Sequence, residues 1–252
     1  MAGRLDGKVA IVTGAGCVAA GWGNGRATCV RFAAEGAKVF AVDLSAETMV
    51  ETLTRVRDAG GATEPHLCDM TDGLAVEAMA AACLARFGTI DILVNNVGGS
   101  AKGGATNLDE AAWDRQIDFN LKSVYLSCRS VLPHMEAQGS GSIVNISSAS
   151  GIRYTGSPQV AYASAKAAII QFSKVTAVEF APKGVRVNTV IPGQLHTPMV
   201  EARLAGQRMG GDVSSLLQSR IKRIPLGWMG DGRDTANAAL FLCSEEARFV
   251  TG

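Results

Sequence analysis

The chain has little that would mark a metal site, a disulfide scaffold or a membrane segment. Its six cysteines, Cys17, Cys29, Cys68, Cys83, Cys128 and Cys243, are scattered with no C-x-x-C pair, and its three histidines, His66, His134 and His196, are isolated from one another. No ligand cluster with zinc spacing results, so no metal is expected, and reduced buried thiols fit better than disulfides. No apolar run approaches the ~18 residues of a membrane span. The opening MAGRLDGKVAIVTG lacks the charged, apolar and cleavage regions of a signal peptide. A cytoplasmic protein without a membrane partner is expected. An excess of one charge is also missing: the formal net charge is +1 and there is no basic run, which argues against a nucleic-acid partner. What is present is a 252-residue chain, 47% hydrophobic and 19% charged, without repeats or low-complexity tracts. That composition predicts one domain, residues 1–252, with a sizeable core.

Hydrophobic patterning alternates along the chain. Short β-branched runs at Lys8 to Thr13, Lys38 to Asp43, Asp91 to Asn96, Ser142 to Ser147 and Val185 to Pro192 read as buried strands, with a weaker one at Thr63 to Cys68. Helical spacing covers Arg26 to Glu35, Ala46 to Ala59, Asp72 to Phe87, a long stretch from about Asp109 to Ala137, and Pro158 to Phe180. Strands alternating with helices predict an α/β fold: a single-domain, Rossmann-like, doubly wound parallel sheet flanked by helices on both faces. In such sheets ligands bind beyond the carboxyl ends of the strands.

The first strand ends in TGAGCVAAGWGNGRA, Thr13 to Ala27, with five glycines in fifteen residues. A glycine-rich turn entering a helix N-terminus turns backbone N–H groups and the helix dipole toward an anion, most commonly a pyrophosphate; a flexible surface loop is the alternative. The second strand ends at Asp43, whose carboxylate could accept both ribose hydroxyls of an adenosine or could be a turn residue only. A 2′-phosphate would be repelled there, and Leu44 and Ser45 supply no cation, so NAD is favoured over NADP.

These residues and those that follow resemble the short-chain dehydrogenase/reductase family over nearly the whole chain. Thr13, Gly14, Gly23 and Gly25, with Asn24 between the last two, match its T-G-x-x-x-G-x-G marker, except that about five extra residues fall within AGCVAAGW. The insertion is read as an enlarged phosphate loop. In CDMTD, Asp69 and Met70 match the position that lies against adenine in the family, and Asn95, Asn96, Val97 and Gly98 approximate its N-N-A-G. For Asn95 and Asn96 the expected role is mainly structural. PGQLHTPM resembles P-G-x-x-x-T-x-M, so that Pro192, Gly193, Leu195 and Thr197 would hold the nicotinamide end beside Ile191.

The resemblance implies that chemistry resides in YASAK. Tyr162 and Lys166 stand four apart, on one face of a helix. Oxidising an alcohol at a nicotinamide needs a base for the hydroxyl proton. Bringing a tyrosine from near pH 10 to near 7 takes roughly 4 kcal/mol of preferential phenolate stabilisation. Lys166 is the ammonium that would supply part of it, and in the family it also holds the nicotinamide ribose. Ser148, with Ser147 as competitor, would donate to the substrate oxygen. Asn120 matches the asparagine that kinks the long helix and relays protons through water to the lysine.

Ser100, Ser150, Arg153, Tyr154, Gln159, Gln194 and His196 are candidates for the substrate pocket, and about residues 200–223 for its lid. The family's last parallel strand, ending V-D-G-G, has no counterpart before Gly252. The expected function is NAD(H)-dependent interconversion of a secondary alcohol and a ketone on a small-molecule substrate, in a homotetramer. A catalytically silent NAD-sensing regulator and a dehydratase or epimerase are the other readings.

Overall fold

Val9 and Ile11 point to one side of the first strand and Ala10 and Val12 to the other, and both sets are buried. A strand apolar on both faces must lie between two layers. The computed structural model, which describes residues 3–204 and 212–252, has that arrangement. In chain order the main elements are β1 (Val9–Thr13), α1 (Asn24–Ala34), β2 (Lys38–Asp43), α2 (Ala46–Asp58), β3 (Ala62–Leu67), α3 (Gly73–Phe87) and β4 (Ile92–Asn95). They continue with α4 (Glu110–Ile117), α5 (Ser123–Gln138), β5 (Gly141–Ile146), α6 (Val160–Phe180), β6 (Val185–Val190), α7 (Val213–Ile221) and α8 (Gly232–Cys243).

The six strands form one parallel sheet in the order β3-β2-β1-β4-β5-β6. Ile11 pairs with Phe40 on one side and Leu93 on the other, so the strand order reverses at β1. One face packs Ile11, Phe40, Leu93 and Ile143 against Met79 of α3, Met135 of α5 and Ile169 of α6. The opposite face packs Val12, Val39 and Val94 against Phe32 of α1, Val56 of α2 and Leu240 of α8. Edge strand β3 carries Pro65, which removes a ladder donor. At the other edge, Gly252 N donates to Val187 O at 2.9 Å and Val187 N to Thr251 Oγ1 at 3.1 Å.

Two differences from the periodicity reading matter for the site. The helix expected from about Asp109 to Ala137 is two helices, because a π turn at Asp118–Lys122 separates α4 from α5. Such turns interrupt the regular ladder and free backbone groups for other partners. The patterning also omits α8, which begins with a reciprocal cap: Arg233 N donates to Asp231 Oδ1 and Asp231 N to Asp234 Oδ2, each at 2.8 Å. Among the described residues no helix is long and apolar enough to cross a membrane.

Candidate active site

A cavity of about 450 Å³ opens at the carboxyl ends of the strands, where the strand order reverses between β1 and β4. Its first wall is the glycine turn. Gly14 has φ +63°, a conformation that L side chains rarely adopt, and a Cβ on Gly25 would collide with the Gly14 carbonyl oxygen and come within 2.7 Å of Asn96 Nδ2. Asn96 Nδ2 donates to Gly14 O at 3.0 Å, and Asn96 N to Thr13 Oγ1 at 3.1 Å, so Thr13 and Asn96 fix the turn. Among the described residues no side chain caps α1 at Gly23. Its first N–H groups therefore remain for an anion beside Gly23, Asn24 and Gly25, which line the cavity.

Asp43 and Leu44 line the adjoining wall, facing Asp69 and Met70. The Asp43 carboxylate accepts from Gly16 N at 2.9 Å, Ser45 N at 3.2 Å and Thr48 Oγ1 at 3.0 Å. Backbone and hydroxyl hydrogen bonds from Thr71 hold the Asp69 carboxyl below the usual range. Lys166 and Arg220 are the cations among the described lining residues, and Lys166 comes from α6, next to Tyr162 rather than Asp43. An open helix N-terminus, a cradle that side chains would fill and a carboxylate at the far end match the shape and charge of a dinucleotide.

Ser148, Tyr162 and Lys166 gather at the opposite end, with Val97, Gly98, Ser100, Pro192, Gly193, Leu195 and Thr197. Lys166 Nζ donates to Ile146 O at 2.9 Å and lies 5.8 Å from the Tyr162 ring centre. Burial pushes its pKa down to about 8. Ser147 is 3% exposed and donates to Lys166 O at 2.7 Å. Ser148 is more open, and its Oγ accepts from Ser150 N at 3.2 Å, which leaves the hydroxyl proton for a ligand. Asn120 lies in the π turn, behind the cavity wall: its amide accepts from Gly99 N and donates to Gly99 O, both at 3.1 Å. A Cβ on Gly98 would stand 2.8 Å from Asn120 Oδ1 and 3.0 Å from Lys166 Nζ, so both groups come up against one backbone position.

The other candidates lie elsewhere. Ser150, Arg153, Tyr154 and Gln159 line a separate depression of about 230 Å³. Neither cavity is lined by Gln194 or His196, and His196 Nε2 pairs with Glu201 Oε1 at 2.7 Å. Of the lid segment, residues 205–211 lie outside the described residues. Its described parts are a turn at Val200–Leu204 and helix α7, from which Arg220 donates to Leu195 O at 3.1 Å. Thr48, Phe119 and Arg220 line the main cavity without having been singled out in the sequence. Thr48 had a legible signal, five residues beyond Asp43 in the first turn of α2. Arg220 had none, because it arrives from a distant helix.

Residues 18–252 match the family model described as enoyl-(acyl carrier protein) reductase. The 2-(R)-hydroxypropyl-CoM dehydrogenase of Xanthobacter autotrophicus is 39% identical over 250 residues, covering 97% of this chain and 94% of that protein. The crystal structure of a Burkholderia xenovorans protein described as a short-chain dehydrogenase/reductase is 60% identical in sequence, with TM-score 0.96 over 99% of this chain and 94% of its own. NAD+-bound xylitol dehydrogenase is 29% identical, with TM-score 0.88 over 98% and 96% of the two chains.

Proposed function

Because this chain belongs to the short-chain dehydrogenase/reductase family, we propose that it is an NAD(H)-dependent oxidoreductase interconverting a secondary alcohol and a ketone. The convergence of Ser148, Tyr162 and Lys166 at one end of a cavity whose other end carries Asp43 supports this reading most strongly. A nicotinamide dinucleotide bound there supplies the hydride acceptor or donor. The N-terminus of α1 holds the pyrophosphate, Asp43 accepts the adenosine ribose hydroxyls, and Asp69 and Met70 flank the adenine. Val97, Gly98, Pro192, Gly193, Leu195 and Thr197 hold the nicotinamide end.

Tyr162 takes the alcohol proton in oxidation and returns it in reduction. The buried ammonium of Lys166 favours the phenolate by proximity of opposite charge. Ser148 donates to the substrate oxygen as negative charge develops there. Asn120 keeps the backbone at Gly99 in place, and both it and Lys166 approach Gly98. Small-molecule alcohols and carbonyls are the substrate class, and Asp43 disfavours the 2′-phosphate of NADP.

Fluorescence titration with NADH and NADPH, followed by a panel of alcohols and carbonyls, tests the assignment. NADH is expected to bind more tightly than NADPH. Tyr162→Phe is expected to keep NADH affinity and the unfolding midpoint while turnover falls on the order of 10³-fold. Undiminished turnover would remove Tyr162 from the mechanism.

A further inference from the structure

The insertion between Gly14 and Gly23 is tied to the body of the protein along its length. Ala15 N donates to Val42 O at 3.0 Å and Cys17 N to Thr48 O at 3.0 Å, while Thr52 Oγ1 donates to Ala15 O at 2.9 Å. Gly232 N, at the start of α8, donates to Trp22 O at 3.3 Å. The centre of this network is Arg26. It lies in the first turn of α1, where local patterning offers no reason for burial, yet it is 2% exposed. Its Nη1 donates to Ala19 O at 3.2 Å, Gly21 O at 2.8 Å and Glu51 Oε2 at 2.7 Å, and its Nε to Thr52 Oγ1 at 3.2 Å.

Burying a guanidinium is costly unless its donors are met, and a planar fork can meet several acceptors at once. Here two acceptors are carbonyls of the insertion and two are side chains of α2, so the arginine joins the insertion to that helix. Glu51 extends the join: its Oε1 accepts from Arg55 Nε at 2.9 Å, and the Arg55 guanidinium lies 4.3 Å from the Trp22 ring centre. The chain of contacts thus closes on the insertion's last residue. On the other side of the insertion, Gly16, Cys17 and Val18 line the main cavity beside Asp43 and Thr48, whereas Arg26 does not reach it.

We propose that Arg26 is a positioning residue for dinucleotide binding, latching the insertion with Glu51 so that Gly16 to Val18 form a fixed wall at the adenosine end of the cavity. This rests on the reading of that cavity as a dinucleotide site. A wall ordered before the ligand arrives spares binding the entropy of ordering it. The effect belongs to the adenosine half, because the residues held there neighbour Asp43 rather than Tyr162.

The test is fluorescence titration of wild type, Arg26→Met and Glu51→Gln with NADH, and calorimetric titration with ADP-ribose, together with limited chymotryptic cleavage after Trp22. Arg26→Met is expected to weaken both ligands by the same factor, about tenfold or more, and to speed the cleavage. NADH and ADP-ribose share the whole ADP-ribose portion and differ in the nicotinamide, so a common factor assigns the loss to the shared portion. Because partial unfolding would also weaken both alike, the comparison is made on a variant whose unfolding midpoint lies well above the titration temperature. Unchanged affinity in the folded variant, or a loss confined to NADH, overturns the latch. If Arg26→Met does not fold, Glu51→Gln carries the test: its side chain is partly exposed, about threefold weakening of both ligands is expected from the lost charge, and no weakening overturns the proposal. Wild type binding neither ligand overturns the dinucleotide reading and the latch with it; wild-type binding with unaltered variants overturns the latch alone.

Discussion

Lys166 brings an ammonium into the interior, where it donates to the Ile146 carbonyl. Its pKa falls to about 8 in the fold against 10.5 for the free side chain, because burial disfavours the charged form. The unfolded chain therefore binds more protons than the folded one between those values, and stability rises with pH across that window. Below pH 8 the cost of burying the charge is present in full; above 10.5 it is gone. The difference corresponds to about 3 kcal/mol. Urea titrations near pH 7 and pH 10 on wild type and Lys166→Met should show wild type gaining on the variant by an amount of that order; parallel behaviour would mean that the lysine is hydrated. In the sequence Tyr162 and Lys166 stand four apart on one helix face and are singled out by the family resemblance, but the depressed pKa depends on what covers the lysine. Ser147 and Ser148 are adjacent and of one chemistry, and only the family resemblance favours Ser148 in the sequence. The hydrogen bond from Ser147 to the Lys166 backbone separates them.

At the scale of elements, the approach of α1 to the end of β1 decides whether an anion site exists. Gly25 brings the helix so near that an added methyl would overlap the Gly14 carbonyl. Gly25→Ala should cost about 2 kcal/mol of stability through overpacking and weaken NADH about tenfold or more by moving the helix N-terminus; thermal unfolding and fluorescence titration check the two effects. The π turn at Asn120 is a second such element, for its side chain clamps Gly99 while Ser127 in α5 donates to Asn95 Oδ1 at 2.7 Å. From Asn95 the buried polar chain runs through Asn145 to Ser173, at 2.8 Å for each step, tying α5, β4, β5 and α6 together behind the chemistry. Asn95 is thus held by buried hydrogen bonds on both sides, from Ser127 and to Asn145. Periodicity missed the break between α4 and α5 because a π turn adds a residue without disturbing the apolar stripe for long.

For the whole molecule, we propose a homotetramer, with α4 and α5 among the helices that meet a second copy. Trp113 and Tyr125 on these helices are 38% and 48% exposed, a cost that association would relieve. Light scattering on the purified protein should give four times the protomer mass; a monomer at micromolar concentration would overturn the assembly. The amino-acid sequence by itself determined the alternation of strands and helices, the glycine turn and the pairing of Tyr162 with Lys166. Each of these is set by local period, turn chemistry or spacing along one helix. Only the tertiary structure decided that Ser148 rather than Ser147 keeps a proton for the cavity, that Arg220 reaches it, and that Arg153 and Tyr154 line a different depression. It also decided that Arg26 is buried under the insertion. Those outcomes depend on which distant segments pack against each other, and burial and hydrogen-bond partners are assigned only when that packing is complete.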